Sequence, residues 1–313
     1  GGGFARYSVD DRWFLPHFEK MLYTQALMSL ACTRLYAIAP DEHYREIVTG
    51  TLDFVLAEMR HPDGAFYSAL DASSERADKP GVHAEGAYYL WRAKELEALL
   101  NRDEWTLVKK YFDIRDDGNI ESDPRGEFER LNILYTSDDY KNTKLSEKES
   151  VLLASALRKL YQARLQRPRP HLDDKIISAW NGMMITALAE AAAVFDQRDY
   201  LDAAIAAADF MQHRLLDKKT HELFRRMLQD DVDQFRFDGH LLPFSQRGGV
   251  HGFSSLLSGD FRHLKGFDDI IFLDVVEVLH ADPALVASQH FLHVILETSQ
   301  RGNPPVVDHD VVT

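Results

Sequence analysis

Two stretches of this chain carry the same pattern, and an internal repeat constrains a fold more tightly than composition does. Tyr44 followed by Asp53-Phe54 has its counterpart in Tyr200 followed by Asp209-Phe210, at the same internal spacing and after the same kind of Asp-bearing break. Around the first copy, Tyr44, Ile47, Val48, Thr51, Leu52, Val55, Leu56 and Met59 fall on one face at helical spacing, and Asp41 is placed to cap the run. A preceding helix is expected from about His17 to Ile38, with Pro16 just ahead of it and Phe18, Met21, Leu22, Gln25, Met28, Cys32, Leu35 and Tyr36 on its buried stripe. Its counterpart runs from about Asp174 to Phe195. After each outer helix come a polar turn and a short β-like run, Ala65-Phe66-Tyr67-Ser68 and Leu223-Phe224-Arg225-Arg226. The pattern predicts two helical hairpins of one repeated helix-pair architecture, because a single pair cannot bury both its faces.

Between the copies, His61-Pro62-Asp63-Gly64 reads as a turn. Ala65 to Ala69 and Glu85-Gly86-Ala87-Tyr88-Tyr89-Leu90-Trp91 read as β-like runs flanking a polar loop. Helices are expected from about Ala93 to Leu100 and from Asp103 to Phe112. Another follows Ser146, which forms a capping box with Glu149, and it is stopped by Pro168 and Pro170. The pattern supports one helical domain over residues 1–226. Residues 227–313 read as a divergent segment, helical at Ile270 to Leu279 and Asp282 to Thr298, with a disordered Gly302-Asn303-Pro304-Pro305 tail.

With 313 residues, 45% of them apolar, the chain can bury a substantial core. Its formal net charge of -14 argues against nucleic-acid or anionic-membrane partners, which are themselves polyanions. Cys32 is the only cysteine; it lies on a buried stripe and reads as a core thiol, which disfavours thiol redox chemistry. No membrane span or signal segment is seen at Gly1-Gly2-Gly3-Phe4. The absence of an initiator Met suggests that the chain begins inside a longer protein.

Among groups that carry chemistry, Asp71 and Glu85 are the leading carboxylates, since each follows or opens a short strand and two acids across a cleft are what glycosidic cleavage requires. His17 is a candidate proton donor or orienting group. His17 and Glu19, two apart on a helix, are expected on different faces and hence not as a pair. Asp173 and Asp174 head a helix, where caps are common. Tyr7, Trp13, Tyr67, Tyr88, Tyr89, Trp91 and Trp180 are interleaved with these groups and include candidate sugar-ring contacts. No metal spacing, phosphate loop or nucleophile elbow stands out, and no cofactor is called for.

Six motifs in order then complete a resemblance: Gly2-Gly3-Phe4-Ala5-Arg6-Tyr7-Ser8-Val9-Asp10, Pro16-His17-Phe18-Glu19-Lys20-Met21-Leu22-Tyr23, Gly64-Ala65-Phe66-Tyr67-Ser68-Ala69, Glu85-Gly86-Ala87-Tyr88-Tyr89-Leu90-Trp91, Arg167-Pro168-Arg169-Pro170-His171-Leu172-Asp173 and Ala179-Trp180-Asn181-Gly182-Met183-Met184. Over residues 1–226 the chain resembles the spermatogenesis-associated protein 20 family. The resemblance implies an all-α fold, an incomplete α/α six-hairpin toroid of the six-hairpin glycosidase-like kind with short β-hairpins in its connecting loops. It further implies a thioredoxin-like domain elsewhere in the full-length protein. Ala5, Leu70 and Ser73 stand where the family usually has His, Glu and Asp, which reduces an acidic cluster to Asp71. The function implied is a carbohydrate-active or carbohydrate-binding domain, glycoside hydrolase-like or sugar epimerase-like if an enzyme. Asp71, Glu85 and His17 are then the catalytic candidates, and Arg6, Glu19, Trp91, Asp174, Trp180 and Asn181 the substrate-binding ones. The alternative is a non-catalytic scaffold with a regulatory role in spermatogenesis and fertility, its motifs kept for packing.

Overall fold

A computed structural model describes residues 2–121, 123, 126–141, 143–220, 223–228 and 231–232. Strand β1 (Lys20–Met21) leads into helices α1 (Leu22–Ile38) and α2 (Glu42–Glu58), which are followed by strands β2 (Ala69–Leu70), β3 (Ser73–Arg76) and β4 (Lys79–Glu85). Helices α3 (Ala93–Leu99), α4 (Arg102–Tyr111), α5 (Asp138–Lys141) and α6 (Glu147–Leu165) come next, then strands β5 (Leu172–Asp173) and β6 (Ile176–Ile177). Helices α7 (Ser178–Phe195) and α8 (Arg198–Phe210), a π-helical turn at Met211–Leu215 and strands β7 (Arg226–Leu228) and β8 (Asp231–Val232) complete the described elements. The fold is predominantly helical, with short antiparallel strands. The contacts of the described residues form two compact units interleaved in sequence: residues 3–21 with 69–173, and residues 22–68 with the described residues from 174 to 232.

The second unit holds both repeated hairpins. α1 packs against α2 and α7, and α7 against α8. α7 is apolar almost all round and buries residues on every side, from Ser178 and Asn181 through Met184, Ile185 and Leu188 to Phe195, as expected of a helix with neighbours on several flanks. The repeat predicted from sequence is physical. Arg34 and Glu190, 156 positions apart, form a two-pronged ion pair, with Arg34 Nε on Oε2 at 2.9 Å and Nη2 on Oε1 at 2.5 Å. The starts of α1 and α7, and of α2 and α8, are separated by the same interval. Tyr200 Oη donates to Asp53 Oδ1 at 2.8 Å, so the two motif positions that revealed the repeat also bond across it. That carboxylate, with burial acting first, pushes the Tyr200 hydroxyl pKa up. Asp41 caps α2 through the His43 N–H, as its place in the sequence predicts.

The first unit contains a three-stranded antiparallel sheet in the order β1-β2-β5 and the β3-β4 hairpin. A helical core around Leu96, Val108, Phe112, Ala156 and Leu160 lies beside the buried Trp91. Capping boxes start α4 at Asn101/Glu104 and α6 at Ser146/Glu149, the second as the sequence predicts. Glu104 is only 1% exposed but fully engaged, accepting from the Asn101 N–H, Ser155 Oγ and Lys159 Nζ. These bonds outweigh its burial and hold its pKa down.

Several expectations are corrected. The first helix begins at Leu22, not near His17, because the backbone of the preceding residues is already bonded outside any helix: Glu19 C=O accepts from Arg6 N–H, and Lys20 pairs with Leu70. Its buried face is Leu22, Gln25, Ala26, Ser29, Cys32 and Thr33, whereas Met28 and Leu35 are exposed. The β-run expected at Glu85 to Trp91 instead ends at Glu85, where Gly86 turns the chain with φ +70°. Strand β7 (Arg226–Leu228) pairs with β6 and runs through position 226/227; the segment expected beyond it lies almost entirely outside the described residues. The helices expected at 270–279 and 282–298 and the tail at 302–305 lie outside the described residues. Among the described residues no helix is long and apolar enough to cross a membrane.

Gly64 supplies a test of the hairpin packing. It sits at φ +113°, and a Cβ there would lie 2.7 Å from the Ala206 carbonyl oxygen of α8. Gly64→Ala is expected to cost roughly 2 kcal/mol or more and to lower the thermal midpoint by several degrees, measured by circular dichroism.

Candidate acid-base site

The site is built in the first unit from an extended stretch that alternates its side chains. In extended backbone, residues two apart share a face, so His17 and Glu19 point the same way while Phe18 and Lys20 point the other. The stretch is held by backbone bonds on both flanks: His17 N–H donates to Tyr7 C=O at 2.9 Å and Val9 N–H to Leu15 C=O at 2.7 Å, closing a loop over residues 8–16. Inside that loop the Asp10 carboxylate accepts the N–H groups of Arg12, Phe14 and Leu15.

On the first face, His17 Nδ1 meets Glu85 Oε1 at 2.8 Å. A carboxylate only accepts, so Nδ1 carries the proton and Nε2 is left with its lone pair whenever the imidazole is neutral. The same Glu85 oxygen accepts the Phe18 N–H at 3.3 Å, which fixes the carboxylate against the strand. Nε2 lies 3.8 Å from Glu19 Oε2, beyond a hydrogen bond, and Glu19 is itself held by Arg6 Nη1 at 2.9 Å. Tyr7 stacks on the imidazole with ring centres 4.7 Å apart. His17, Glu19 and Glu85 side chains retain 22%, 24% and 26% exposure, so the cluster is ordered yet reachable. Glu85 is placed by β4 and by Gly86, where a Cβ would lie 2.7 Å from the Phe18 ring. The arrangement can take a proton at Nε2 and hand it back, with Glu85 stabilising the imidazolium.

Of the sequence candidates, the structure therefore gathers His17, Glu85, Glu19 and Arg6. The expectation that His17 and Glu19 lie on different faces is corrected, since it assumed a helix where the chain is extended. Asp71 does not face Glu85 in the hairpin register, which puts Ser73 opposite Glu85; its own Oδ1 closes a turn by accepting the Ser73 N–H at 2.7 Å. Trp91 is 2% exposed and lies under the Arg167 guanidinium at 3.8 Å, so it has no ring face to offer a ligand. Asp174, Trp180 and Asn181 belong to the second unit. Asn181 is fully buried and uses both ends of its amide on the Phe66 backbone, and Trp180 packs edge-on to Tyr23. Asp174 does not cap α7, whose cap position is Ile177. Among the described residues no cluster of His, Cys, Asp and Glu is arranged to hold a metal.

The packing on the second face of this stretch was not legible in the sequence. Phe18 stacks on Tyr89 with centres 5.7 Å apart, and Lys20, 9% exposed, puts Nζ 5.2 Å from the same ring. Burial, assisted by the field of Arg164, pulls the Lys20 pKa down to about 7, and burial pushes Tyr89 up to about 12.

What these observations define is a helix-hairpin protein with a carboxylate-oriented, half-buried histidine just ahead of a short strand. No family model matches the chain. Spermatogenesis-associated protein 20 of Homo sapiens is 37% identical over 243 residues, covering 72% of this chain and 30% of the relative. The Mus musculus protein of the same name is 38% identical over the same length, with the same coverage. An uncharacterized Caenorhabditis elegans protein is 33% identical over 226 residues, covering 67% of this chain and 31% of the relative. The chain belongs to the spermatogenesis-associated protein 20 family and spans about 30% of the length of the curated relatives it matches. Among solved structures, a D-mannose isomerase is similar at 12% identity and TM-score 0.26, covering 89% of this chain and 64% of that one. A cellobiose 2-epimerase from Bacillus thermoamylovorans B4167 is similar at 12% identity and TM-score 0.20, covering 70% and 66%. At those scores the overlap fixes neither a fold nor an activity.

Lys20 gives this site a pH signature. Because its folded pKa is depressed, the unfolded chain binds more protons between about pH 7 and the ordinary lysine value of 10.5, so stability rises with pH across that window. The penalty is fully present below about pH 7 and amounts to a few kcal/mol, on the order set by a shift of this size. Urea midpoints recorded from pH 6.5 to 9.5 should rise, and Lys20→Met should flatten that rise.

Proposed function

We propose that this domain handles carbohydrate and that His17, oriented by Glu85, moves a proton on a bound sugar. The observation that carries the reading is the 2.8 Å contact of His17 Nδ1 with Glu85 Oε1, which leaves Nε2 basic on a face that solvent reaches. Proton transfer fits better than hydrolysis. Hydrolysis needs an acid and a second carboxylate flanking one bond, and Asp71 is engaged in its own turn. Arg6 and Glu19 flank Nε2 and supply a donor and an acceptor for sugar hydroxyls. We further propose that the paired helices form part of an α/α six-hairpin toroid, as the sequence resemblance implies, and that the thioredoxin-like domain of the full-length protein is its partner.

One observation favours the scaffold alternative for part of the motif set. Trp91 and Asn181 are buried, and Asn181 is saturated by backbone bonds, so those motif residues serve packing. On this second reading the domain would serve by binding rather than by catalysis.

The test is to incubate the protein with reducing sugars in heavy water and follow loss of the C2 proton signal by NMR. Exchange at C2 is expected, and His17→Asn should slow it at least about 100-fold, with Glu85→Gln lowering it less. Exchange equal in His17→Asn and wild type, or no exchange and no sugar binding in the wild type, contradicts the reading.

A further inference from the structure

Glu19 stands where the substituent on a reacting sugar carbon would lie. Its Oε2 is 3.8 Å from His17 Nε2, too far for a hydrogen bond between the two, yet close enough that an atom bonded to a carbon at Nε2 reaches it. Arg6 Nη1 donates to the same Oε2 at 2.9 Å and Arg6 N–H donates to the Glu19 carbonyl at 2.9 Å, so both the side chain and the backbone of Glu19 are fixed. A carboxylate has about four lone-pair sites, and the guanidinium bond leaves it able to accept again. At 24% exposure the side chain remains reachable.

The imidazole is fixed on two counts. Its bond from Nδ1 to Glu85 at 2.8 Å sets a direction but leaves the ring free to turn about it. The Tyr7 ring, 4.7 Å away and inclined by 20°, sets the plane. Because Tyr7 covers one face of the imidazole, a carbon meets Nε2 at the ring edge. Glu19 and Glu85 carry two negative charges and Arg6 one positive, which leaves an excess of negative charge around the neutral imidazole. The substituent that suits Oε2 is therefore a hydrogen-bond donor, a hydroxyl or an ammonium; a bare hydrogen gives it nothing, and a carboxylate or phosphate is repelled.

We propose, on the basis of the proton-transfer reading of His17, that Glu19 is the specificity-determining residue of this site and that its substrates are open-chain 2-hydroxy and 2-amino aldoses. In the step, Nε2 takes the C2 proton as the C2–H bond breaks, the bond pair moves into C1–C2 and the carbonyl oxygen takes the charge. Nε2 exchanges its proton with solvent and returns one to C2. Throughout, Glu19 accepts the hydrogen bond of the C2 hydroxyl or ammonium and holds C2–H toward Nε2.

The experiment follows C2 proton exchange in heavy water for glucose, glucosamine and 2-deoxyglucose, each rate divided by that of the same sugar in protein-free buffer. On that scale the wild type is expected to exchange glucose and glucosamine about tenfold or more faster than 2-deoxyglucose. Glu19→Ala should bring the ratio of glucose to 2-deoxyglucose close to one, whereas a general loss of activity would leave the ratio where it was. Glu19→Gln keeps an acceptor and loses the charge, so it should retain part of the discrimination for glucose and lose most of that for glucosamine. If Glu19→Ala does not fold, Glu19→Gln decides in its place. Equal wild-type rates for glucose and 2-deoxyglucose overturn the proposal, as do unchanged ratios in the folded variant. If His17→Asn still abolishes exchange in that case, the proton-transfer reading stands without it. No exchange of any of the three sugars by the wild type overturns both.

Discussion

The constraint from which the candidate chemistry follows is that residues 17–21 are extended. Their backbone is committed to Tyr7, Arg6 and β2 before α1 starts. Extension sets a two-residue period, and the period sorts four consecutive side chains into two environments. His17 and Glu19 meet carboxylate, guanidinium and a flat ring; Phe18 and Lys20 meet the Tyr89 ring. Had the helix begun at Phe18, helical spacing would have separated His17 from Glu19. Glu85 secures the arrangement because one oxygen reads both the imidazole and the Phe18 N–H.

The helical hairpins were legible because their signals are local and redundant. Asp41 and the Ser146/Glu149 box are short-range caps, and their geometry follows from spacing alone. The repeat was legible because burying two equivalent helices imposes equivalent residues, and the Tyr200–Asp53 bond and the Arg34–Glu190 pair show those residues in contact. Family membership was legible through motifs that include both site and packing residues. The start of α1 was not, because tertiary strand pairing overrides the apolar stripe that continues from Phe18 into the helix.

The site was legible only in part, for the same reason. His17, Glu85, Glu19 and Arg6 are all motif residues, but which of them meet depends on pairing between Tyr7 and His17, far below what spacing resolves. Asp71 was a reasonable acid by position, yet an Asp two residues before an exposed N–H closes a turn more readily than it waits in a cleft. Trp91 carried the signature of a sugar platform and turned out to be core, since aromatic type does not distinguish a ring facing solvent from one under Arg167. The approach of Lys20 to the Tyr89 ring gave no signal at all, because it joins two distant segments.

The central claim is that Glu85 holds His17 with its proton on Nδ1 and its lone pair on Nε2. Imidazole nitrogen shifts of His17, read by long-range nitrogen-proton correlation NMR at a pH where the ring is neutral, test it directly. The account predicts the Nδ1–H tautomer in the wild type and a shift toward the ordinary Nε2–H form in Glu85→Gln. A wild-type His17 already in the Nε2–H form would contradict it.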